Sequence, residues 1–272
     1  MKLSFQTWGS PENPAILMLH GFMGFGTDWT ALAENLRAGY FCIAPDLPGH
    51  GASSIADLTR ANAFQVTARA VVDLLNNFKI DEAVLLGYSL GGRLAWYTAI
   101  EYPRWFRGLI IESAAPGLKT EAEKIERIRL DLERAREIKS GPFPQFLNAW
   151  FRQPLFRTMQ RQPQRLSELI QSRLMQDPQA LAAGMDLFSI GRQPSYWDRC
   201  RELNAPVMLI AGAQDEKYRR ATGEIAATSL KRSTVRIIPA VGHNSHWEAP
   251  ALFLDAIKTF LQTELKLTRS HI

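Results

Sequence analysis

Residues 83–93 read Ala-Val-Leu-Leu-Gly-Tyr-Ser-Leu-Gly-Gly-Arg, and no other stretch constrains the fold of this chain so closely. A short, fully apolar strand pattern runs through Gly-x-Ser-x-Gly into a segment, 90–102, that reads as a helix ending at Pro103. A strand that turns this sharply into a helix holds its middle residue, Ser89, in a strained conformation. The side chain then projects off the sheet edge, and the helix N-terminus beneath it favours developing negative charge. Gly87 and Gly91 carry no Cβ, so the turn can be tight. The motif alone is common. In a strand–turn–helix setting it predicts a nucleophile.

A serine hydroxyl attacks or removes protons only when a histidine takes its proton and a carboxylate orients that histidine. Both partners are expected on loops after later strands, in the order Ser, Asp or Glu, His. Residues 207–211 form an apolar strand pattern leading to Gly212-Ala213-Gln214-Asp215, and 235–238 form another leading to Val241-Gly242-His243-Asn244. The predicted set is therefore Ser89, Asp215 and His243. Glu112 also follows a strand and competes for the role of the acid. His246, three residues after His243, competes for the base, but the glycine before His243 suits an exposed loop better. Asp46, in a Pro- and Gly-rich loop, reads as a structural turn. His20 and His50 are expected to hold loops together, and His271 to be part of a frayed terminus.

The remaining pattern is that of a mostly parallel sheet flanked by helices. Strands are expected at 3–7 (an edge), 15–19, 41–44, 83–88 and 108–111, with helices at 28–36, where Asp28 is the candidate cap, and 64–78. Alternation of strands and helices joined by short loops implies parallel pairing. From Leu118 to about Arg199 the strand signal stops. Ile125, Ile128, Leu132, Ala135 and Ile138 form an apolar stripe at helical spacing, and six prolines divide the rest of the segment into short helices. The expected organisation is a core of 1–117 and 201–272, with 118–200 as a helical cap over the edge that carries Ser89. A last helix is expected at 251–265.

The net charge of +5 is local. Residues 118–200 hold 14 Lys and Arg against 10 Asp and Glu, with no run of like charge and no basic–aromatic repeat. That favours a basic pocket for a small anion over a nucleic-acid surface. No apolar run nears the roughly 20 residues of a membrane span, and the N-terminus lacks the apolar region of a signal peptide. Two cysteines make no disulfide framework, which points to a cytoplasmic protein. No histidine has a partner at metal-ligand spacing, so no metal is expected. Arg93 stands four residues after Ser89, so on a helix it shares the serine's face and reaches the same pocket.

His20-Gly21-Phe22, the 46–51 segment Asp-Leu-Pro-Gly-His-Gly, the serine turn, Asp215 and Gly242-His243 together resemble the α/β-hydrolase superfamily over nearly the whole chain. The resemblance implies the α/β-hydrolase fold, no cofactor, and an oxyanion hole made by the backbone N–H groups of Phe22 and Leu90. Arg93, the cap segments and the 242–246 loop further resemble the 2-succinyl-6-hydroxy-2,4-cyclohexadiene-1-carboxylate synthases of menaquinone and phylloquinone biosynthesis. Those enzymes are lyases that use the triad to remove a proton and expel pyruvate from a carboxylated cyclohexene. By that resemblance Arg93, Arg127 and Arg173 would bind substrate carboxylates, and Tyr88, Trp150, Phe156 and Lys217 would line the pocket. Lys119 stands where that family is expected to carry glutamine. The partner implied is a small polycarboxylate. A serine hydrolase of an ester, lactone or carbon–carbon bond is the alternative; a non-catalytic receptor would have no need of all three triad residues.

Overall fold

A computed structural model describes residues 1–267; His271 lies outside the described residues. The sheet order is β1-β3-β2-β4-β5-β6-β7, with β4 (Ala83–Tyr88) central between β2 (Ala15–Leu19) and β5 (Phe106–Glu112). β3 (Phe41–Pro45), β6 (Val207–Gly212) and β7 (Ser233–Ile238) complete the parallel part. β1 (Phe5–Trp8) pairs antiparallel with β3 at one edge. Four helices start directly after strands or their loops: α1 (Thr30–Leu36), α2 (Ala63–Asn77), α3 (Leu90–Glu101), and, late in the chain, α8 (Glu216–Thr228). Between β5 and β6 lie α4 (Glu121–Ser140), α5 (Phe143–Phe151), α6 (Pro163–Arg173) and α7 (Pro178–Leu187), with no strand among them. A short α9 (Ser245–Glu248) and α10 (Pro250–Thr263) end the described chain.

β2, β4 and β6 are apolar throughout because both of their faces are covered. Alternate residues of β2 go to opposite sides. Leu17 and Leu19 join the cluster built with α2 and α3, while Ile16 and Met18 join that of α1 and α10. The helices between β5 and β6 keep a small core of their own, Ile138, Phe143, Leu147, Leu181 and Met185. It rests on Phe22 and Met23, in the loop after β2. A second small cluster, Phe151, Phe156, Met159 and Leu166, meets Trp247. These contacts lie at the C-terminal ends of the parallel strands, the edge that also carries Ser89.

Two expectations are corrected. The apolar stripe of α4 is not a buried face along its length: Ile125 is 68% exposed, whereas Asp131 is 1% exposed. The helix turns its charged residues inward because they face a cavity. Asp28 caps no helix through Leu36. It lies within a 3₁₀ turn, Gly26–Trp29, where its carboxylate accepts from the backbone N–H of Phe25 at 3.1 Å, and α1 starts at Thr30.

Candidate active site

Ser89 adopts φ 49° and ψ −109°, the strained geometry that a strand-to-helix elbow imposes. The turn closes only because of its glycines. A Cβ on Gly87 would sit 2.4 Å from the carbonyl oxygen of Gly91, and one on Gly91 would sit 2.2 Å from that of Leu19. Ser89 is held from β5 as well, its N–H donating to the carbonyl of Glu112 at 2.9 Å.

The loops after β6 and β7 bring the other two residues to it. His243 Nε2 lies 3.0 Å from Ser89 Oγ, and His243 Nδ1 lies 2.7 Å from Asp215 Oδ2. His243 and Asp215 are both buried. Asp215 is fixed in turn by the N–H of Tyr218 at the start of α8, and the N–H of Gly242 donates to Glu248 at 3.1 Å. Glu112 does not compete for His243. It is wholly buried and bonds His246, whose N–H and Nδ1 lie 3.0 and 2.6 Å from its two oxygens. His20 and His50 hold loops: Nε2 of His20 accepts from Leu47 N–H, and Nε2 of His50 from Met23 N–H.

Above Ser89 is a cavity of about 280 Å³ between the sheet edge and the 118–200 helices. Phe22 and Leu90 line it, and Leu90 opens α3, where first-turn N–H groups have no partner within the helix. Tyr88, Arg93, Arg127 and Lys217 also line it. Trp150 and Phe156 form an aromatic wall, with the Phe156 ring centred 6.1 Å from that of His243. Arg173 is not in this wall. It is buried, and both its terminal nitrogens reach the carboxylate of Asp28, at 2.9 and 2.7 Å. Its fork is filled by that carboxylate of the chain itself, and with Asp28 it lines a neighbouring pocket that shares Phe22, Tyr88, Trp150 and Phe156 with the cavity above Ser89. Lys119 lies outside too, paired with Glu224 and stacked over Trp197.

Arg134, Asp131 and Tyr218 also line the cavity, and the sequence-derived set of site residues does not include them. The signal for two of them was present. Asp131 and Arg134 stand four and seven residues after Arg127, which places all three on one face of α4. Asp131 accepts from Arg127 at 2.8 Å, from Arg134 at 3.3 Å and from Ser189 at 2.8 Å. One carboxylate thus faces four cations. Neither Arg93 nor Lys217 forms an ion pair among the described residues; Arg93 donates to the carbonyl of Phe188 at 2.8 Å. Burial, and then the charge of Arg127, push the Arg93 guanidinium down to about 10, and the same two causes lower Lys217. Charge crowded this way is relieved by an anion in the cavity. Burial is also the main reason that Tyr88 and Tyr218 are raised, so both stay neutral phenols.

A nucleophile elbow, an Asp–His pair behind it and a seven-stranded sheet of this order define an α/β-hydrolase. The chain belongs to that fold family, whose description as an alpha/beta hydrolase fold matches residues 14–250. It is 33% identical over 261 residues to the 2-succinyl-6-hydroxy-2,4-cyclohexadiene-1-carboxylate synthase of Pectobacterium atrosepticum, covering 94% of this chain and 97% of that one. Among solved structures it is similar to MenH from S. aureus, with 31% identity, a TM-score of 0.90 and coverage of 96% and 98%. It is also similar to a malate-bound thermophilic esterase from Thermogutta terrifontis, with 26% identity, a TM-score of 0.81 and coverage of 97% and 93%. Among the described residues no helix is long and apolar enough to cross a membrane, and no three His, Cys, Asp or Glu side chains gather as a metal site.

Proposed function

We propose that this chain is a lyase that eliminates pyruvate from a succinyl-enolpyruvyl-cyclohexene carboxylate. The product is 2-succinyl-6-hydroxy-2,4-cyclohexadiene-1-carboxylate, an intermediate of menaquinone or phylloquinone synthesis. The observation that carries the reading is Arg93: a desolvated guanidinium one helical turn from Ser89, without an ion pair among the described residues, in a wall with Arg127, Arg134 and Lys217. A site for neutral esters has no use for four cations around one carboxylate. A substrate with several carboxylates does.

In this reading His243, oriented by Asp215, draws the proton from Ser89, and Ser89 removes the ring proton beside the succinyl carbonyl. The freed electron pair moves into the ring. The bond from the ring to the enolpyruvyl oxygen breaks, and the pair leaves with that oxygen as the enolate of pyruvate, which takes up the proton held on His243 to give pyruvate. The backbone N–H groups of Phe22 and Leu90 meet the charge that develops on the succinyl oxygen. Arg93 and Arg127 hold carboxylates, and Tyr88, Trp150, Phe156 and Lys217 shape the pocket. Residues 118–200 act as a cap domain on a core of 1–117 and 201–272, and exclude water from the reaction. Cys42 and Cys200, both free and buried, fit a cytoplasmic enzyme.

The test is pyruvate release from that substrate, measured beside hydrolysis of a neutral ester. Ser89→Ala and His243→Ala are each expected to lower pyruvate release by on the order of 10³-fold or more while the protein stays folded. Near-normal release by Ser89→Ala would show that the elbow is structural only. Fast ester hydrolysis without pyruvate release would leave a serine hydrolase in its place.

A further inference from the structure

Glu112 is the last residue of β5 and stands directly opposite Tyr88 in the sheet. Its carbonyl oxygen accepts from the N–H of Ser89 at 2.9 Å. Its carboxylate, at zero exposure, is bound wholly to His246 among the described residues, at 3.0 Å to the backbone N–H and 2.6 Å to Nδ1. His246 lies three residues past His243. The turn that carries the serine and the loop that carries the histidine are therefore fastened to the two ends of one residue.

The surroundings leave the pair little freedom. The His246 ring packs between Trp29, 4.4 Å away between centroids, and Tyr88, at 4.8 Å. The same Tyr88 ring lies 5.5 Å from that of His243. A buried carboxylate is not required to end a strand. An apolar residue of similar size avoids the cost of removing charge from water, and such replacements often stabilise a fold. What an apolar residue lacks is directional hold. Two hydrogen bonds accepted by fixed oxygens set both the position and the ring orientation of His246, and hence the start of α9 and the loop before it.

We infer that Glu112, acting through His246, is a positioning residue that holds His243 at bonding distance from Ser89. The inference rests on the triad reading above, but it concerns the approach of the two loops rather than the identity of the substrate. Glu112→Ala releases the 242–246 loop. Glu112→Gln retains both bonds, since its amide oxygen accepts from the His246 N–H and its amide nitrogen donates to Nδ1 of the other tautomer. His246→Asn likewise keeps a donor near the Nδ1 position.

The experiment reads Ser89 directly, as its rate of covalent labelling by a fluorophosphonate in the full-length chain. Catalysis can fall by 10²-fold for a displacement of about 1 Å, so Glu112→Ala is expected to label about 10–100-fold more slowly. Pyruvate release should show the same loss in kcat with KM little changed, because the arginines are untouched. Glu112→Gln and His246→Asn should label within a few-fold of wild type. Should Glu112→Ala fail to fold, His246→Ala against His246→Asn makes the same comparison. Wild type that labels while Glu112→Ala labels equally fast overturns this inference alone, as does loss in Glu112→Gln as deep as in Glu112→Ala. Wild type that does not label overturns the triad, and this inference with it.

Discussion

Arg93 and Arg173 are the same residue type in one small region, yet their surroundings differ. Arg93 has a carbonyl for a partner and burial that lowers it to about 10, so its fork is open to an incoming carboxylate. A charge-assisted contact of that kind contributes about 1.5–3 kcal/mol. Arg93→Ala is therefore expected to lose about 10–150-fold in kcat/KM for pyruvate release. Arg93→Lys should fall between, since lysine keeps the charge but not the bidentate geometry. Arg173 is matched by Asp28, and removal of it strands a carboxylate that is itself only partly exposed. Arg173→Ala should cost about 3 kcal/mol in urea denaturation, the lower end of the range for breaking a buried pair, with KM close to wild type. A large KM effect without lost stability would return Arg173 to the substrate. The hydrogen-bonded arrangement of Ser89, His243 and Asp215 was legible in the sequence because three residue types each followed an apolar strand in the required order. Arg173 was not, because its partner lies 145 residues away and no local pattern reports it.

At the scale of elements, the strands were legible for a plain reason: β2, β4 and β6 are covered on both faces and so read as unbroken apolar runs. The cap was harder. Its longest helix, α4, lies between solvent and a charged cavity, so Ile125 is exposed while Asp131 is buried, and the apolar stripe misleads. Loops, too, can be read for chemistry. The loop after β2 and the loop after β3 are tied by His20 and His50, whose Nε2 atoms accept backbone N–H groups 27 residues away. Burial is the main cause that lowers both, His50 well below 6.5. The sign comes from proton counts. Between the lowered folded values and the ordinary value near 6.5, the unfolded chain binds more protons, so stability falls as pH drops through that window. Each unit of lowering corresponds to about 1.4 kcal/mol. Urea midpoints should decline below about pH 6.5, and His50→Gln, whose amide oxygen still accepts from Met23, should show a shallower decline. Parallel curves for the two proteins would remove His50 from the account.

Across the whole molecule the uneven placement of charge matters more than its total. The net charge is +5, and the 118–200 segment holds 14 Lys and Arg against 10 Asp and Glu. Much of its surface charge is locally paired, as in Arg129 with Glu126 and Glu133, and exposed pairs of this kind contribute little. The imbalance that acts is at the cavity, where Arg93, Arg127, Arg134 and Lys217 surround Asp131. A cleft lined by one sign of charge with low-dielectric walls draws in ligands of the other sign and raises their association rate. Salt weakens that attraction over a Debye length of about 30 Å at 0.01 M but only about 8 Å at 0.15 M. Association with a polycarboxylate should therefore slow as salt is added, while events inside the cavity are screened far less. The expected result is a several-fold fall in kcat/KM for pyruvate release between those salt concentrations, with kcat nearly level. Hydrolysis of a neutral ester at the same Ser89, however feeble, should change little over the same range. Arg127→Ala should flatten the salt dependence, since it removes a cavity charge that the substrate meets. If the ester and the polycarboxylate respond alike to salt, the cations serve the cap's own packing, and the case for an anionic substrate loses its physical basis.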